Sequence, residues 1–266
     1  MSEPVTLITG ASSGIGQALA LEHARRGHRV VLLGRRLDKL ESLAATLSSR
    51  GPSALALRCD VSVDGEIDEA VRKALERFGR LDVAIANAGI SIDGPFERST
   101  LAAQRQVFET NYFGVLRTAY ACFDALRASK GSFAALGSVS GFVCVPGFSA
   151  YTASKYAVRG FLGSLELEWR RHGISVTHVA PGFVKSEIRE RRADGTPTRD
   201  PVPAWIVLDA AAAARDIADA IAARRPEVVV TRHGKALVHL QRHAPRTMAA
   251  LLRASSSRIP GLGSKG

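Results

Sequence analysis

The chain has 266 residues, of which 46% are apolar and 23% charged, which excludes a disordered polymer and sets the size of one large α/β domain or two small ones. Its net charge of +11 would ordinarily raise nucleic acid as a partner, but seven cations (Arg232, Lys235, Arg242, Arg246, Arg253, Arg258 and Lys265) lie beyond Val228 with no acid among them. The body is therefore only mildly basic, and no nucleic-acid partner is expected. Cys59, Cys122 and Cys144 are too widely spaced for a disulfide framework or a zinc site, which fits a reducing, cytoplasmic location.

Short apolar runs alternate with longer amphipathic stretches, the pattern of βαβ units that build a parallel sheet. The start, Met1 to Gly10, lacks the basic and apolar segments of a secretory signal, so no targeting segment is expected, and it runs straight into a strand over Val5–Thr9. A helix over Ile15–Arg26, a strand over Arg29–Leu33, a helix over Leu37–Ser49 and a strand over Ala54–Cys59 follow. The pattern then predicts a helix from Asp64 to Phe78, a strand over Val83–Ala86, one long helix from Leu101 to Ala128 and a strand over Phe133–Leu136. The uncharged run between Lys130 and Lys155 is long enough to cross a bilayer but is interrupted by Gly131, Gly137, Gly141, Pro146 and Gly147, so it reads as a buried strand and an active-site loop. Beyond it come a helix from Tyr151 to Arg171 and a strand over Ile174–Val179, ended by Pro181-Gly182. The stretch from about 185 to 209, rich in charge, Pro and Gly, reads as a lid. A helix over Ala210–Ala223, a strand over Val228–Thr231 and a cationic helix pair from Gly234 to about Arg253, broken near Pro245, complete the chain, with Ala254–Gly266 frayed. The fold class is α/β: one Rossmann-type doubly wound parallel sheet of about seven strands in a single domain over 1–266, with a cationic C-terminal extension at about 234–266.

Two constellations carry chemistry. Thr9-Gly10-Ala11-Ser12-Ser13-Gly14-Ile15-Gly16 joins the first strand to the first helix, where small residues let backbone approach a pyrophosphate and leave a helix N-terminus open to an anion. Farther on, where an acid would hold both ribose hydroxyls of NAD, the second strand ends Gly34-Arg35-Arg36. Guanidinium groups suit a 2′-phosphate through paired charge-assisted hydrogen bonds, so NADP(H) is preferred, with NAD(H) as the second choice. Tyr151 and Lys155, spaced i,i+4 on one helix face, place a phenol beside an ammonium that stabilises the phenolate and makes Tyr151 a usable proton donor. Ser138 lies thirteen residues earlier at a strand end, where a hydroxyl can hydrogen-bond a substrate carbonyl.

Taken in order, the glycine turn, Asp60, Asn87-Ala88-Gly89, Asn111, Ser138, the Tyr151/Lys155 pair and Pro181-Gly182 resemble the short-chain dehydrogenase/reductase family of the small single-domain type, over roughly Val5 to Val184. The resemblance implies that Ser138 orients the carbonyl, Tyr151 donates the proton, Lys155 binds the nicotinamide ribose and Asn111 holds a water that relays protons to Lys155. It also implies a cofactor site of Gly10, Ser12, Ser13, Gly14, Ile15, Gly16, Arg35, Arg36, Asp60, Val61, Asn87, Ala88, Gly89, Pro181, Gly182, Val184 and Ser186, with Tyr151 and Lys155. Ser186 stands where a Thr is common in the family, and Ser140 offers a second hydroxyl beside Ser138. A homodimer or homotetramer through the two long helices is implied.

Ile90, Phe96, Phe142, Val143, Val145, Phe148, Phe183 and Trp205 are expected around the nicotinamide, which favours an apolar carbonyl substrate. The extension is expected to pack its apolar side on the body or on a second subunit, with an anionic membrane surface as the less favoured alternative. His233, His239 and His243 are read as solvated surface histidines, and no metal site is expected. The function expected is reduction of a carbonyl, or the reverse oxidation; the alternatives are a catalytically silent dinucleotide sensor or scaffold and a peripheral membrane binder.

Overall fold

In a computed structural model, which describes residues 3–49, 51, 53–185 and 204–256, seven strands form one parallel sheet. They are β1 (Val5–Thr9), β2 (Arg29–Gly34), β3 (Ala54–Arg58), β4 (Val83–Ala86), β5 (Ser132–Leu136), β6 (Ser175–Ala180) and β7 (Glu227–Val229), in the order β3-β2-β1-β4-β5-β6-β7. Every residue of β1, β4 and β5 is buried, because helices cover both faces; this is why those strands read as continuous apolar runs. Leu7, Val31, Ala84, Phe133 and Val176 point to one face, under α3 (Glu66–Phe78), α5 (Gly114–Ser129) and α6 (Ser149–Trp169). Ile8, Leu32, Ile85, Ala134 and Val179 point to the other, under α1 (Gly14–Arg25), α2 (Leu37–Ser48) and α7 (Ala210–Ala222). Strand order reverses between β1 and β4, and a crevice opens there beyond the carboxyl ends of the strands.

Helix ends follow local chemistry. Glu66, Asp68 and Glu69 meet the positive end of the α3 dipole, and Gly79, at φ +74°, closes its other end with a 2.7 Å bond from its N–H to the Leu75 carbonyl. Asp209 caps α7 by accepting from Ala211 N at 3.0 Å.

Most predicted elements lie within two residues of their observed bounds. The predicted helix from Leu101 to Ala128 is instead divided into α4 (Leu101–Phe108), one π-helical turn (Glu109–Phe113) and α5. Its cause is Asn111, a polar side chain turned into the protein and held there by hydrogen bonds; the wider turn absorbs the extra residue. The last strand, predicted over Val228–Thr231, stops at Val229 because Thr231 already caps the next helix, accepting from Gly234 N at 3.1 Å. The predicted helix pair is α8 (Arg232–His243) and α9 (Pro245–Ser256), separated where Pro245 takes a first-turn position that needs no N–H partner.

Of the predicted lid, Lys185 and residues 204–209 are described: one 3₁₀ turn, Ala204–Ile206, and a parallel bridge between Val184 and Leu208. Lys185 N donates to Leu208 O at 3.0 Å and Leu208 N to Phe183 O at 2.9 Å, so the two ends of the segment are tied together. The rest of the predicted lid, with Ser186, lies outside the described residues, as do residues 257–266 of the predicted frayed end.

Candidate active site

The turn after β1 is shaped by absent side chains. Gly10 has φ +67°, and a Cβ there would lie 2.9 Å from Ala88 Cα; a Cβ on Gly16 would collide with the Gly10 carbonyl and the Asn87 amide. The end of β4 fastens this turn. Thr9 Oγ1 accepts from Asn87 N and Ala88 N at 3.0 Å each, and Asn87 Nδ2 donates to the carbonyls of Thr9 (2.9 Å) and Gly10 (3.1 Å). Asn87 thus holds the glycine turn through both protons of its amide nitrogen, with Ala88 and Gly89 following it along the same edge.

Gly14, Ile15 and Gly16 form the first turn of α1, and Ser13 precedes them with no side-chain cap bond to the helix. Its hydroxyl accepts from Arg36 Nη2 at 2.9 Å, and Ser12 Oγ accepts from the same guanidinium at 2.8 and 3.1 Å. A cavity of about 650 Å³ lies beside them between α1 and α2, lined in part by Ser12, Ser13, Lys39 and Ser42. Arg35 is exposed. Burial pushes the Asp60 carboxyl up, but the two bonds it accepts from Ser62, with the charges of Arg35 and Arg58, hold it below its ordinary range. Val61 is buried, its side chain packed where Gly114 has none, so any contact it makes with a ligand is through backbone. These residues fit a dinucleotide: a cradle that a Cβ would fill, an open helix N-terminus and a guanidinium at its mouth.

The second cluster gathers at the carboxyl ends of β4, β5 and β6. Ser138 caps a 3₁₀ turn (Val139–Gly141), its Oγ accepting from Ser140 N at 3.0 Å, and Val139 N donates to Pro181 O at 3.0 Å. Tyr151 and Lys155 lie on successive turns of α6. Lys155 is 3% exposed; its Nζ donates to Leu136 O at 2.7 Å and lies 5.5 Å from the centre of the Tyr151 ring. Burial disfavours its charge and pulls its pKa down to about 8. Asn111 is fully buried, with Oδ1 accepting from Ile90 N at 2.8 Å and Nδ2 donating to Ile90 O (2.9 Å) and Ser154 Oγ (3.0 Å). Both of its amide protons are therefore committed to groups within the protein. A Cβ on Gly89 would lie 3.2 Å from Asn111 Oδ1 and 3.7 Å from Lys155 Nζ, so these three positions meet.

Two expectations, for Phe142 with Val143 and for His233, need correction. Phe142 and Val143 do not wall a substrate pocket: each is 3% exposed and buried with Val139, Ala180, Val238 and Met248 beneath α8 and α9. Phe96 and Trp205, at 69% and 85% exposed, are open to solvent. His233 is not a solvated histidine. Its Nε2 accepts from Phe183 N at 3.0 Å and its ring stacks on Phe183 at 5.1 Å, which pins the Pro181–Val184 segment; a Cβ on Gly182 would lie 2.6 Å from that Nε2. Pro181 and Val184 are buried, whereas Gly182 is half-buried and Phe183 is the exposed side chain of that segment. Sequence reasoning missed His178, Glu227, Arg159 and Arg242, which meet behind the Ser138 loop; a histidine inside a buried strand was the one signal available.

The family model for short chain dehydrogenases matches residues 4–196. The chain is 37% identical over 188 residues to 11-beta-hydroxysteroid dehydrogenase A of Sesamum indicum, covering 70% of this chain and 54% of that one. It spans only 54% to 62% of the length of this and other curated relatives. Among solved structures, a short chain dehydrogenase/reductase from Burkholderia phymatum in complex with NAD superposes with TM-score 0.83 at 25% identity, covering 92% of this chain and 95% of that one. A short-chain dehydrogenase from Sphingobium yanoikuyae in complex with NADPH does so with TM-score 0.78 at 29% identity, covering 94% and 95%.

Proposed function

Because this chain belongs to the short-chain dehydrogenase family, we propose that it is an NADP(H)-dependent oxidoreductase that interconverts an apolar ketone or aldehyde with its alcohol. The observation that carries this reading is the buried Lys155 ammonium fixed on Leu136 O beneath the Tyr151 ring, on the helix that faces the Ser138 strand end. A bound dinucleotide supplies the hydride. Tyr151 Oη delivers the proton to the carbonyl oxygen, and the Lys155 charge stabilises the phenolate left behind. Ser138 Oγ donates to that same oxygen and orients it. The π-turn, pinned through the Asn111 side chain, sets the backbone from which a water passes a proton toward Lys155.

Arg36, seated on Ser12 and Ser13, with no acid at the end of β2, supports NADP(H) over NAD(H). The relatives divide on this point, since one neighbour holds NAD and another NADPH. The apolar class is supported by half-buried Ile90, Val145 and Phe148 near the cluster, and by a relative named for a hydroxysteroid. Exposed Phe113, Tyr120 and Leu167, on or beside α5 and α6, support a homodimer or homotetramer. Three free cysteines accord with a cytoplasmic location.

The test is oxidation of NADPH and NADH, in parallel, against aromatic, terpenoid, steroid and acyl ketones and aldehydes. Carbonyl-dependent turnover faster with NADPH is expected. Silence across the panel despite measurable NADPH binding would overturn the enzymatic reading in favour of a nucleotide sensor.

A further inference from the structure

Glu227 is the last acid in the chain, and every charged side chain after it is a cation. One of those cations, Arg242 of α8, is exposed but reaches back to the body: it pairs with Glu227 Oε1, while Arg159 of α6 reaches Glu227 Oε2 at 3.4 Å. His178 Nδ1 lies 3.5 Å from the same oxygen, at the outer limit of a hydrogen bond. Contact with His178 and Arg242 holds the Glu227 carboxyl down to about 2, so it remains charged at neutral pH.

Both guanidinium groups also lie against one ring, at 4.0 Å (Arg159) and 5.2 Å (Arg242) from the centre of Phe142, and His178 packs 5.7 Å from it. Phe142 lies four residues after Ser138, on the segment that leads from Ser138 to Tyr151 in the first turn of α6. Its carbonyl accepts from Tyr156 Oη at 2.5 Å, and its neighbours Val139 and Val143 are buried with it against Val238 and Met248 of the extension. The other edge of His178 abuts Gly137, where a Cβ would collide with Nε2. Val238 of α8 and Met248 of α9 are thus spent on this loop, with Leu237, Leu240 and Leu252 packed partly buried against them.

We propose that the C-terminal helix pair is a brace for the catalytic loop, in which Arg242 and Arg159, gathered by Glu227, hold Phe142 and thereby set the loop that joins Ser138 to Tyr151. These are positioning residues. Their effect on turnover rests on the reductase reading above; their effect on loop order does not.

Cys144, two residues after Phe142, is a built-in reporter. It is the exposed cysteine, whereas Cys59 and Cys122 are buried and their thiols are pushed up to about 12, so a thiol reagent on the folded protein reads Cys144. In the full chain, labelling by a chromogenic disulfide reagent and steady-state turnover are measured for wild type, Arg242→Ala, Arg242→Lys, Phe142→Leu and Lys235→Ala. Lys235 is an exposed cation on the same helix and controls for net charge. Arg242→Ala and Phe142→Leu are expected to label about fivefold faster and to lose kcat about fivefold with the KM for NADPH within about twofold. Arg242→Lys restores most of both, and Lys235→Ala matches wild type. Wild-type labelling rates in both Arg242→Ala and Phe142→Leu would overturn the brace, as would an equal rise in Lys235→Ala. Absence of turnover in the wild type would defeat the reductase reading alone, with the labelling rates still deciding the brace.

Discussion

The turn after β1 and the loop after β5 leave the same edge of the same sheet, yet they are held in opposite ways. The turn is built from backbone: Gly10 and Gly16 approach main chain too closely for any side chain, and the Thr9 and Asn87 bonds act on amides and carbonyls. The loop is built from side chains that arrive from elsewhere, Arg159 from α6, His178 from β6 and Arg242 from the extension. The difference teaches where each kind of function resides. A pyrophosphate is much the same in every substrate pair, so its cradle is made of rigid, local parts. A carbonyl substrate differs from enzyme to enzyme, so the groups around it sit on a segment whose shape is set by distant residues.

The comparison is sharpened most by Tyr151→Phe, which removes the phenol at the far end of the loop and nothing from the turn. We expect kcat to fall about a thousandfold or more while the Kd for NADPH, followed by nicotinamide fluorescence, stays within about twofold. Equal loss of both would break the division between a binding turn and a reacting loop.

Two glycine substitutions test the manner of construction. Gly16→Ala drives a methyl into the Gly10 carbonyl, which cannot move without unseating β1, and is expected to cost about 3 kcal/mol in urea unfolding. Gly137→Ala drives one into the ring of His178, which can be removed; a cost of about 2 kcal/mol should shrink by at least half in the double variant with His178→Ala. Failure of the second cycle to recover stability would place Gly137, too, among positions fixed by backbone.

What could be read from the sequence follows the same division. The strands were legible because helices on both faces force uninterrupted apolar runs, and the glycine turn was legible because its requirement for missing side chains is local. Tyr151 and Lys155 were legible as a pair because four residues is one helical turn. The π-turn was not, since an apolar period carries through Leu101 to Ala128 unbroken and only the long-range bonds of Asn111 to Ile90 and Ser154 widen it. Phe142 and Val143 were misplaced for a related reason: an apolar residue in a loop near a site looks the same whether it meets a substrate or a helix arriving from a hundred residues downstream. Arg242 looked like any other cation of a basic tail until Glu227 was placed beneath it.

A smaller effect is expected at the mouth of the turn. Arg36→Ala removes the guanidinium seated on Ser12 and Ser13 and should lower the ratio of kcat/KM for NADPH over NADH by about tenfold to a hundredfold, the loss of one or two charge-assisted bonds. An unchanged ratio would move the selection of the 2′-phosphate to Arg35 or Lys39.

The smallest effect concerns stability, and it has a sign opposite to that of activity. Burial pulls Lys155 from 10.5 down to about 8, so the folded protein releases this proton more readily than the unfolded chain does. Below pH 8 both states hold the proton, and the folded state bears the whole cost of a buried ammonium. Between pH 8 and 10.5 the folded protein has released it while the unfolded chain still binds it, so the cost fades as pH rises, and above 10.5 it is gone. The 2.7 Å bond to Leu136 O offsets part of that cost. Lys155→Met should therefore abolish turnover and yet gain about 2 kcal/mol at pH 7, a gain that disappears by pH 10.5. Urea unfolding at the two pH values checks it. A variant less stable than wild type at pH 7 would mean that the bond to Leu136 outweighs burial, and that the reacting end of the molecule is held as rigidly as the turn.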